Sequence, residues 1–347
     1  MTSREEHRID RRGFLKVGGA AVATAGLSFG DHGGFAGALA ADAKPLSFQL
    51  SWVKSIQYGG YFAGIEHGIF KKYGVDPTFV SGGPNVDPIA NVASGRSALG
   101  DRPIGPILVA REKEIPIKVI GTVFQKSPFA IMSLAKTPIR SVKELVGKTI
   151  ACATSGRPMM VYLIKEAGID PQTVNIVPSS PDPSALVSGQ IDAYAGYSTN
   201  QGVILQTRGV DLVFINVHDL GLPETTGTIY AREDFLAANR ELVVNFLRAA
   251  AESWRWALDK PEETAKLMVE KYGNPGLSYD AQLIEIKVSK PFIEAGPAAQ
   301  KGLLSLDIPL FAKIIDLYRT VGMLKSDMKV EDLCDASYVE AALAAKS

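Results

Sequence analysis

Short apolar segments alternate along most of the chain with longer segments that have the hydrophobic spacing of helices. Residues 46–52 alternate in polarity as a strand does, and residues 61–73 have helical spacing followed by Gly74, a typical helix-ending glycine. Residues 75–80 predict a second strand and residues 88–94 a second helix. This order of elements is typical of a parallel sheet covered by helices, so we expect an α/β fold.

The same order recurs in the middle of the chain. Strands are predicted over residues 148–153 and 174–177, and helices over residues 157–167 and 184–188. The segment Gly74-Val75-Asp76-Pro77 matches Gly168-Ile169-Asp170-Pro171, and Ser94-Gly95 matches Ser188-Gly189, both at an offset of 94 residues. A constant offset at separate places predicts two similar α/β lobes, whereas a solenoid would repeat at a much shorter period.

Two segments are expected to connect the lobes. Residues 129–134 predict a strand that crosses from lobe one to lobe two, and residues 228–231 predict the return crossing, so that the pair would form a hinge. Lobe one would then contain residues 44–132 and 230–347, and lobe two residues 133–229. The amphipathic helices expected to pack back on lobe one are predicted over residues 234–256, 261–272 and 307–321.

The first 43 residues have the pattern of a removable signal peptide. Arg11-Arg12 precedes an apolar, Ala- and Gly-rich run over residues 17–29, and Ala38-Leu39-Ala40 is typical of a cleavage site. The paired arginines favour the twin-arginine type. The alternative, a membrane anchor, is disfavoured because a bilayer needs about 20 apolar residues. This leader contains no cysteine, so we expect no lipid anchor.

Charge and cysteine content narrow the possible partners. The chain has 37 basic and 37 acidic residues, which gives no electrostatic reason to expect a nucleic acid or an anionic membrane as partner. Its two cysteines, Cys152 and Cys334, are far apart in sequence. We expect two buried thiols, with a disulfide as the alternative in an oxidising compartment.

Ligands of parallel sheets bind beyond the carboxyl ends of the strands, where loops of the two lobes would face each other across a cleft. The loops expected there are residues 53–61, 82–88 and 100–103 of lobe one and residues 154–156, 179–183 and 196–201 of lobe two.

These loops carry aromatic rings and neutral polar groups. Aromatic rings on both lobes would sandwich a flat heteroaromatic ligand, and amides and hydroxyls would bind its polar edge. Thr154 and Ser155 precede a helix whose N–H groups favour a carbonyl or anionic oxygen, although Ser155 is also a typical N-cap. The alternative for the rings is core packing. The candidate ligand-binding residues are Trp52, Gln57, Tyr58, Tyr61, Asn85, Asp101, Thr154, Ser155, Tyr197 and Asn200.

Arginine is the residue type that would indicate a different ligand. Arg102 and Arg157 would bind a sulfonate or carboxylate bidentately, the alternative being that both are solvated at the surface. The sequence has no Gly-x-Ser-x-Gly elbow, no His pair at zinc spacing and no phosphate-binding Gly-Lys-Ser/Thr motif. We therefore expect neither catalysis, nor a metal, nor a cofactor.

Several segments together resemble one family. They are Leu50-Ser51-Trp52, Gly68-Ile69-Phe70-Lys71, Gly74-Val75-Asp76, residues 139–150 and residues 230–236. They resemble the NMT1/THI5-like substrate-binding proteins, which serve importers of thiamine precursors, riboflavin, sulfonates and nitrate. The resemblance implies a type-two periplasmic binding protein fold, a monomer in the periplasm that closes over its ligand, and ABC permease and ATPase subunits as partners.

The chain departs from part of that family at one position. Thiamine-pyrimidine binders often have a histidine six residues after the tryptophan, where this chain has Tyr58. An enzymatic branch needs a histidine and a cysteine-rich segment, and the loop Gly100-Asp101-Arg102-Pro103 has no histidine. We expect a heteroaromatic ligand, a thiamine-type pyrimidine or a flavin. The alternatives are a sulfonate such as taurine, nitrate, an exported enzyme on the same fold, and a sensor coupled to a receptor.

Overall fold

The computed structural model describes residues 43–154, 156–320 and 322–344. The signal peptide expected at the N-terminus and the candidate residue Ser155 lie outside these residues.

Ten strands within the described residues form two five-stranded sheets. The strands are β1 (Lys44–Gln49), β2 (Val75–Val80), β3 (Leu99–Arg102), β4 (Ile117–Phe124), β5 (Phe129–Leu134), β6 (Thr149–Cys152), β7 (Asn175–Pro178), β8 (Ala193–Tyr197), β9 (Leu212–Asn216) and β10 (Thr226–Arg232).

The two sheets have the same topology. The first has the order β2-β1-β3-β10-β4 and the second the order β7-β6-β8-β5-β9, and in each the fourth strand is antiparallel to both neighbours. The sequence repeat corresponds to this shared topology. Gly74 and Gly168, the matched glycines, both have a positive φ, 70° and 75°, because each ends a helix in the left-handed conformation that glycine adopts without strain.

The strands expected to cross between lobes lie wholly within one sheet each. Strand β5 pairs along its length with β8 and β9 of the second sheet, and β10 pairs with β3 and β4 of the first. A strand divided between sheets would leave backbone N–H and C=O groups unpaired, so the chain crosses in irregular segments instead. These segments are residues 125–128 and residues 217–225.

Helices cover both sheets. The long predicted helix over residues 61–73 is broken at Gly68, whose φ is 65°, and the one over residues 234–256 is broken at Asn239. The helices are α1 (Gly59–Glu66), α2 (Ile69–Lys72), α3 (Pro88–Ala93), α4 (Ile104–Glu112), α5 (Arg157–Glu166), α6 (Ser184–Val187), α7 (Val203–Thr207), α8 (Glu233–Ala238), α9 (Arg240–Asp259), α10 (Pro261–Leu267), α11 (Tyr279–Ile293), α12 (Ala298–Lys301), α13 (Ile308–Thr320), α14 (Val330–Leu333) and α15 (Ser337–Ala344).

Each sheet has its own hydrophobic core. Around the first sheet, Phe48 and Phe79 pack against Phe246 of α9, so the C-terminal helices complete lobe one. Two smaller clusters surround the second sheet and define lobe two. None of the helices that the structure describes combines the length and the hydrophobicity needed to cross a bilayer.

Candidate functional site

A cleft with walls from both lobes contains the candidate site. Its lining residues border about 580 Å³ of space, part of which is open to solvent. They are Ser51, Trp52, Gln57 and Pro103 of lobe one, Glu224 of the connecting segment, and Phe129, Ala153, Gly156, Ser179, Tyr194, Ala195, Gly196, Tyr197 and Gln201 of lobe two.

Four aromatic side chains line this cleft. Trp52 belongs to lobe one, whereas Phe129, Tyr194 and Tyr197 belong to lobe two. The hydroxyl of Tyr194 donates to the backbone oxygen of Ser180 at 2.6 Å, and the hydroxyl of Tyr197 hydrogen-bonds with that of Thr226. These bonds fix the tyrosine rings of lobe two, so both lobes present flat surfaces to a ligand.

A buried hydrogen-bond chain positions the cleft loop of lobe one. The Tyr58 hydroxyl accepts from the backbone N–H of Trp52 at 2.9 Å, and it lies 3.0 Å from Ser51 Oγ. Ser51 in turn donates to both carboxylate oxygens of Asp101, from its backbone N at 2.9 Å and from Oγ at 2.8 Å. Tyr58 and Asp101 therefore act behind the cleft wall, where they hold Ser51 and Trp52 in place.

Burial is the largest influence on the pKa values of these hydrogen-bonded groups. Burial raises the pKa of Asp101 to about 7, against the opposing effect of its hydrogen bonds from Ser51 and of nearby Arg102. Burial and the charge of Asp101 also raise the pKa of Tyr58 well above its ordinary value, so this hydroxyl stays protonated. Because Ser51 Oγ directs its own proton to Asp101, the Tyr58 hydroxyl donates to Ser51 Oγ.

Glu224 is the one acidic residue that lines the cleft among the described residues. Its side chain belongs to a residue that is only 7% exposed, and burial raises its pKa to about 7, partly offset by a hydrogen bond with Ser127. Its Oε2 atom is buried and has no hydrogen-bond partner in the described part of the chain. An acceptor therefore lies at the cleft with no protein donor to satisfy it.

Tyr61 was expected at the cleft, but it lies in the core of lobe one. It is 1% exposed, its ring centroid lies 4.9 Å from that of Phe79 and its edge contacts Trp254 at 5.7 Å between centroids. Helix α1, which carries Tyr61, packs one face against α9 and the first sheet, and Tyr61 lies on that face.

Three polar candidates lie away from the cleft lining. Asn85 is exposed in the loop after β2, and Thr154 is exposed at the rim, where it donates to the backbone oxygen of Pro84 at 3.3 Å and so connects the lobes. Asn200 is buried and donates to Glu285 Oε2 at 2.7 Å. Of the ten candidates, Trp52, Gln57 and Tyr197 line the cleft directly.

The two arginines considered for an anionic ligand have other partners. Arg102 is buried and forms an ion pair with Asp87 at 2.9 Å. Arg157 is exposed and donates to the backbone oxygen of Ile176 at 3.1 Å. No lysine or arginine is among the described residues that line the cleft.

Phe129, Tyr194 and Glu224 line the cleft but were not among the candidate residues predicted from the sequence. Phe129 begins the segment that we interpreted as a crossing strand, and Tyr194 lies in strand β8, just before the loop over residues 196–201 that was expected at the cleft. Glu224 lies in the segment that connects the lobes before strand β10, and no sequence pattern indicated that this segment lines the cleft. Across the described residues, no group of three or more His, Cys, Asp or Glu side chains is placed to hold a metal ion.

Two α/β lobes of matching topology around a central cleft define the periplasmic binding protein fold. Residues 55–264, more than half of the chain, match the NMT1/THI5-like family. The chain belongs to this family.

Known proteins similar to this chain bind small molecules. The formylaminopyrimidine-binding protein of Halalkalibacterium halodurans is 26% identical over 231 residues, which cover 65% of this chain and 70% of the relative. The riboflavin-binding protein RibY of Chloroflexus aurantiacus is 24% identical over 307 residues, 85% of this chain and 86% of the relative.

A solved structure shows the same fold at lower sequence identity. The alkanesulfonate-binding protein SsuA from Xanthomonas axonopodis pv. citri, bound to MOPS, superimposes with a TM-score of 0.65 at 17% identity. The superposition covers 84% of this chain and 98% of that structure.

Proposed function

We propose that this chain is the solute-binding protein of an ABC-type importer and that it binds an uncharged heteroaromatic compound in the cleft between its lobes. The observation that carries the proposal is the cleft lining, in which four aromatic rings from both lobes surround neutral polar groups and a single carboxyl.

The aromatic residues favour a flat ligand. A ring stacked against an aromatic side chain gains roughly 0.5–1.5 kcal/mol beyond the burial of its surface. Trp52 and Tyr197 belong to different lobes, so a ring between them would contact both and would favour closure. The similarity to relatives named for binding formylaminopyrimidine and riboflavin supports a pyrimidine or a flavin.

The same lining disfavours sulfonate and nitrate. Arginine is the side chain that binds such anions bidentately, and both candidate arginines lie outside the lining with partners of their own. Glu224, once ionised, would repel an anion. The likeness to an alkanesulfonate-binding structure, at 17% identity, shows the fold alone.

The two-lobed architecture supports a role in transport. A ligand shifts an open–closed balance only by contacts that are better in the closed form, and contacts from both lobes meet that condition. We propose that a membrane permease with its ATPase recognises the closed form, that the protein is a monomer exported to the periplasm by a twin-arginine-type signal, and that it releases its ligand chemically unchanged.

Titration calorimetry with the purified protein tests the ligand class. The ligands are riboflavin, 4-amino-2-methylpyrimidine, taurine and nitrate. We expect at least one ring compound to bind and Trp52→Ala to weaken that binding about tenfold or more, because a stacking surface is lost. Trp256→Ala is the matched control, since Trp256 packs on His67 at 4.0 Å between ring centroids, away from the cleft lining.

Binding of taurine or nitrate without binding of any ring compound would contradict the proposed ligand class. Recovery of a bound ring compound in altered form would favour an enzyme on the same fold. If the protein binds a ligand but cells that lack the protein still import that ligand normally, a sensor would be favoured.

A further inference from the structure

Among the described residues that line the cleft, two polar atoms are buried without a hydrogen-bond partner, Ser179 Oγ and Glu224 Oε2, and Glu224 is the one that carries a carboxyl. Glu224 is more than nine-tenths buried, and it lines the cleft directly before strand β10. Ser127 hydrogen-bonds with its carboxyl, whereas Oε2 has no donor within reach and no described lysine or arginine forms an ion pair with it.

This deficit persists whichever protonation state Glu224 adopts. An ionised carboxylate would have one buried oxygen without a donor, and a protonated carboxyl would have either a donor without an acceptor or the same unsatisfied oxygen. Buried polar groups in folded proteins are satisfied in the great majority of cases, by protein, by water or by a ligand.

We propose that Glu224 selects the ligand by accepting a hydrogen bond from an N–H group on its ring edge. The ligand is therefore a nitrogen heterocycle with an amino substituent or a ring N–H, and this assignment rests on the proposed function. Glu224 would be the residue that distinguishes such a ring from a hydrocarbon ring of the same shape.

The neighbouring residues indicate how a ligand ring would lie relative to this carboxyl. Tyr197 lies close enough to Glu224 for the two to interact electrostatically, and its hydroxyl reaches Thr226, two residues after Glu224. A ring that stacks on Tyr197 has its faces covered by aromatic side chains, so that its edge is free to meet Glu224. The stacked face then supplies affinity for rings in general, and the carboxyl supplies discrimination among them.

Sites that hydrogen-bond a ligand N–H discriminate strongly against analogues that lack it, because the buried acceptor is then left unpaired. An anionic ligand would face ionic repulsion from the same carboxyl. Glu224 thus accounts both for a preference among neutral rings and for the exclusion of sulfonates and nitrate.

Calorimetry with two pyrimidines of nearly equal shape tests this assignment. In 4-amino-2-methylpyrimidine an amino group replaces one methyl group of 2,4-dimethylpyrimidine. We expect the wild-type protein to prefer the amino compound by about 10- to 100-fold, as for a hydrogen bond to a charged acceptor. Riboflavin, whose ring carries one N–H, is titrated in parallel.

Substitutions at Glu224 provide the second measurement. Glu224→Gln is expected to reduce the preference for the amino compound to within about threefold of unity, because the amide directs either a weaker acceptor or a donor at the ligand. Glu224→Asp retracts the carboxyl by one methylene group and is expected to give an intermediate preference. Glu270→Gln, at an exposed position outside the cleft lining, is the matched control.

Each outcome decides a different question. If wild type binds both pyrimidines equally, or if Glu224→Gln keeps the full preference, the role of Glu224 is overturned while the proposed function stands. If wild type binds neither pyrimidine and not riboflavin, the proposed function fails and this inference fails with it. The wild-type comparison needs no variant, so a poorly folding Glu224→Gln protein would still leave the inference open to refutation.

Discussion

At the scale of single residues, the site depends on carboxyl groups that are buried without a cationic partner. Asp101 is 1% exposed and accepts two hydrogen bonds from Ser51, yet burial still raises its pKa to about 7. The backbone N–H and the hydroxyl of Ser51 thus have their acceptor at this position, but ionisation of the buried Asp101 carboxyl costs stability.

This cost predicts how stability depends on pH. The pKa of Asp101 is about 7 in the folded chain and about 3.9 in an unfolded one, so the folded state binds more protons between these values. The free energy of unfolding should therefore fall as the pH rises from about 4 to about 7, by at most roughly 4 kcal/mol from this group, and then level off.

Asp101→Asn should remove that part of the pH dependence while keeping an oxygen for Ser51. Urea denaturation of wild type and variant at several pH values measures it. Glu224 and Glu285 also have raised pKa values, about 7 and about 8, so they add a slope of the same sign to both proteins and the difference isolates Asp101. Parallel curves for the two proteins would contradict the prediction.

At the scale of elements, helix α11 connects the lobes away from the hinge. Gln282 accepts from the backbone N–H of Ile56 in the cleft loop of lobe one at 2.7 Å. Glu285, one turn further along, accepts from Asn200 of lobe two at 2.7 Å and from Gln282 at 3.4 Å. Both α11 side chains are buried, so this polar chain links the lobes through the protein interior.

Asn200→Ala should destabilise the protein by about 1–3 kcal/mol, because Glu285 loses its shortest hydrogen bond in a buried setting. Asn85→Ala, at an exposed position, is the matched control and should change stability by less than about 0.5 kcal/mol. Urea denaturation gives both values. Ligand affinity of folded Asn200→Ala should stay within about threefold of wild type, and a larger loss would return Asn200 to the ligand site.

Most of the elements could be predicted from the sequence because their signals are local. Strand β2 begins and ends at the predicted residues, and Gly74 and Gly168 mark helix ends through a conformation that side chains disfavour. Helix α11 was not predicted, although it positions Asn200. Its partners are distant in sequence, 226 residues separate Ile56 from Gln282, and no local pattern encodes such a contact.

The location of the cleft could be predicted from the sequence, but most of the residues that line it could not. Loops at strand ends did bring Trp52, Gln57 and Tyr197 to one cleft, because sheet topology dictates where those loops meet. Whether an aromatic residue faces the cleft or the core depends on the rotation of its helix, which decided the location of Tyr61. Glu224 required knowledge of which side of the hinge segment faces the ligand, a tertiary property.

At the scale of the whole molecule, each lobe contains one free thiol. Cys152 ends strand β6 in the core of lobe two, and Cys334 lies in the core of lobe one. Burial raises the pKa of both thiols, that of Cys152 to about 12, so the native protein holds almost no thiolate. The two cysteines are therefore unpaired reporters, each of which becomes reactive only when its own lobe unfolds.

Labelling of these thiols can show whether a ligand couples the lobes. In Cys152→Ala the remaining thiol reports on lobe one, and in Cys334→Ala on lobe two. Neither native variant should react with Ellman's reagent in the time in which the urea-unfolded chain reacts fully. A ligand that contacts both lobes is released when either lobe unfolds. Riboflavin or 4-amino-2-methylpyrimidine at about 100 times its dissociation constant should therefore slow both labelling reactions about 100-fold. Slowing confined to one thiol would mean that the ligand stabilises a single lobe, and closure over a shared cleft would then lose its physical basis.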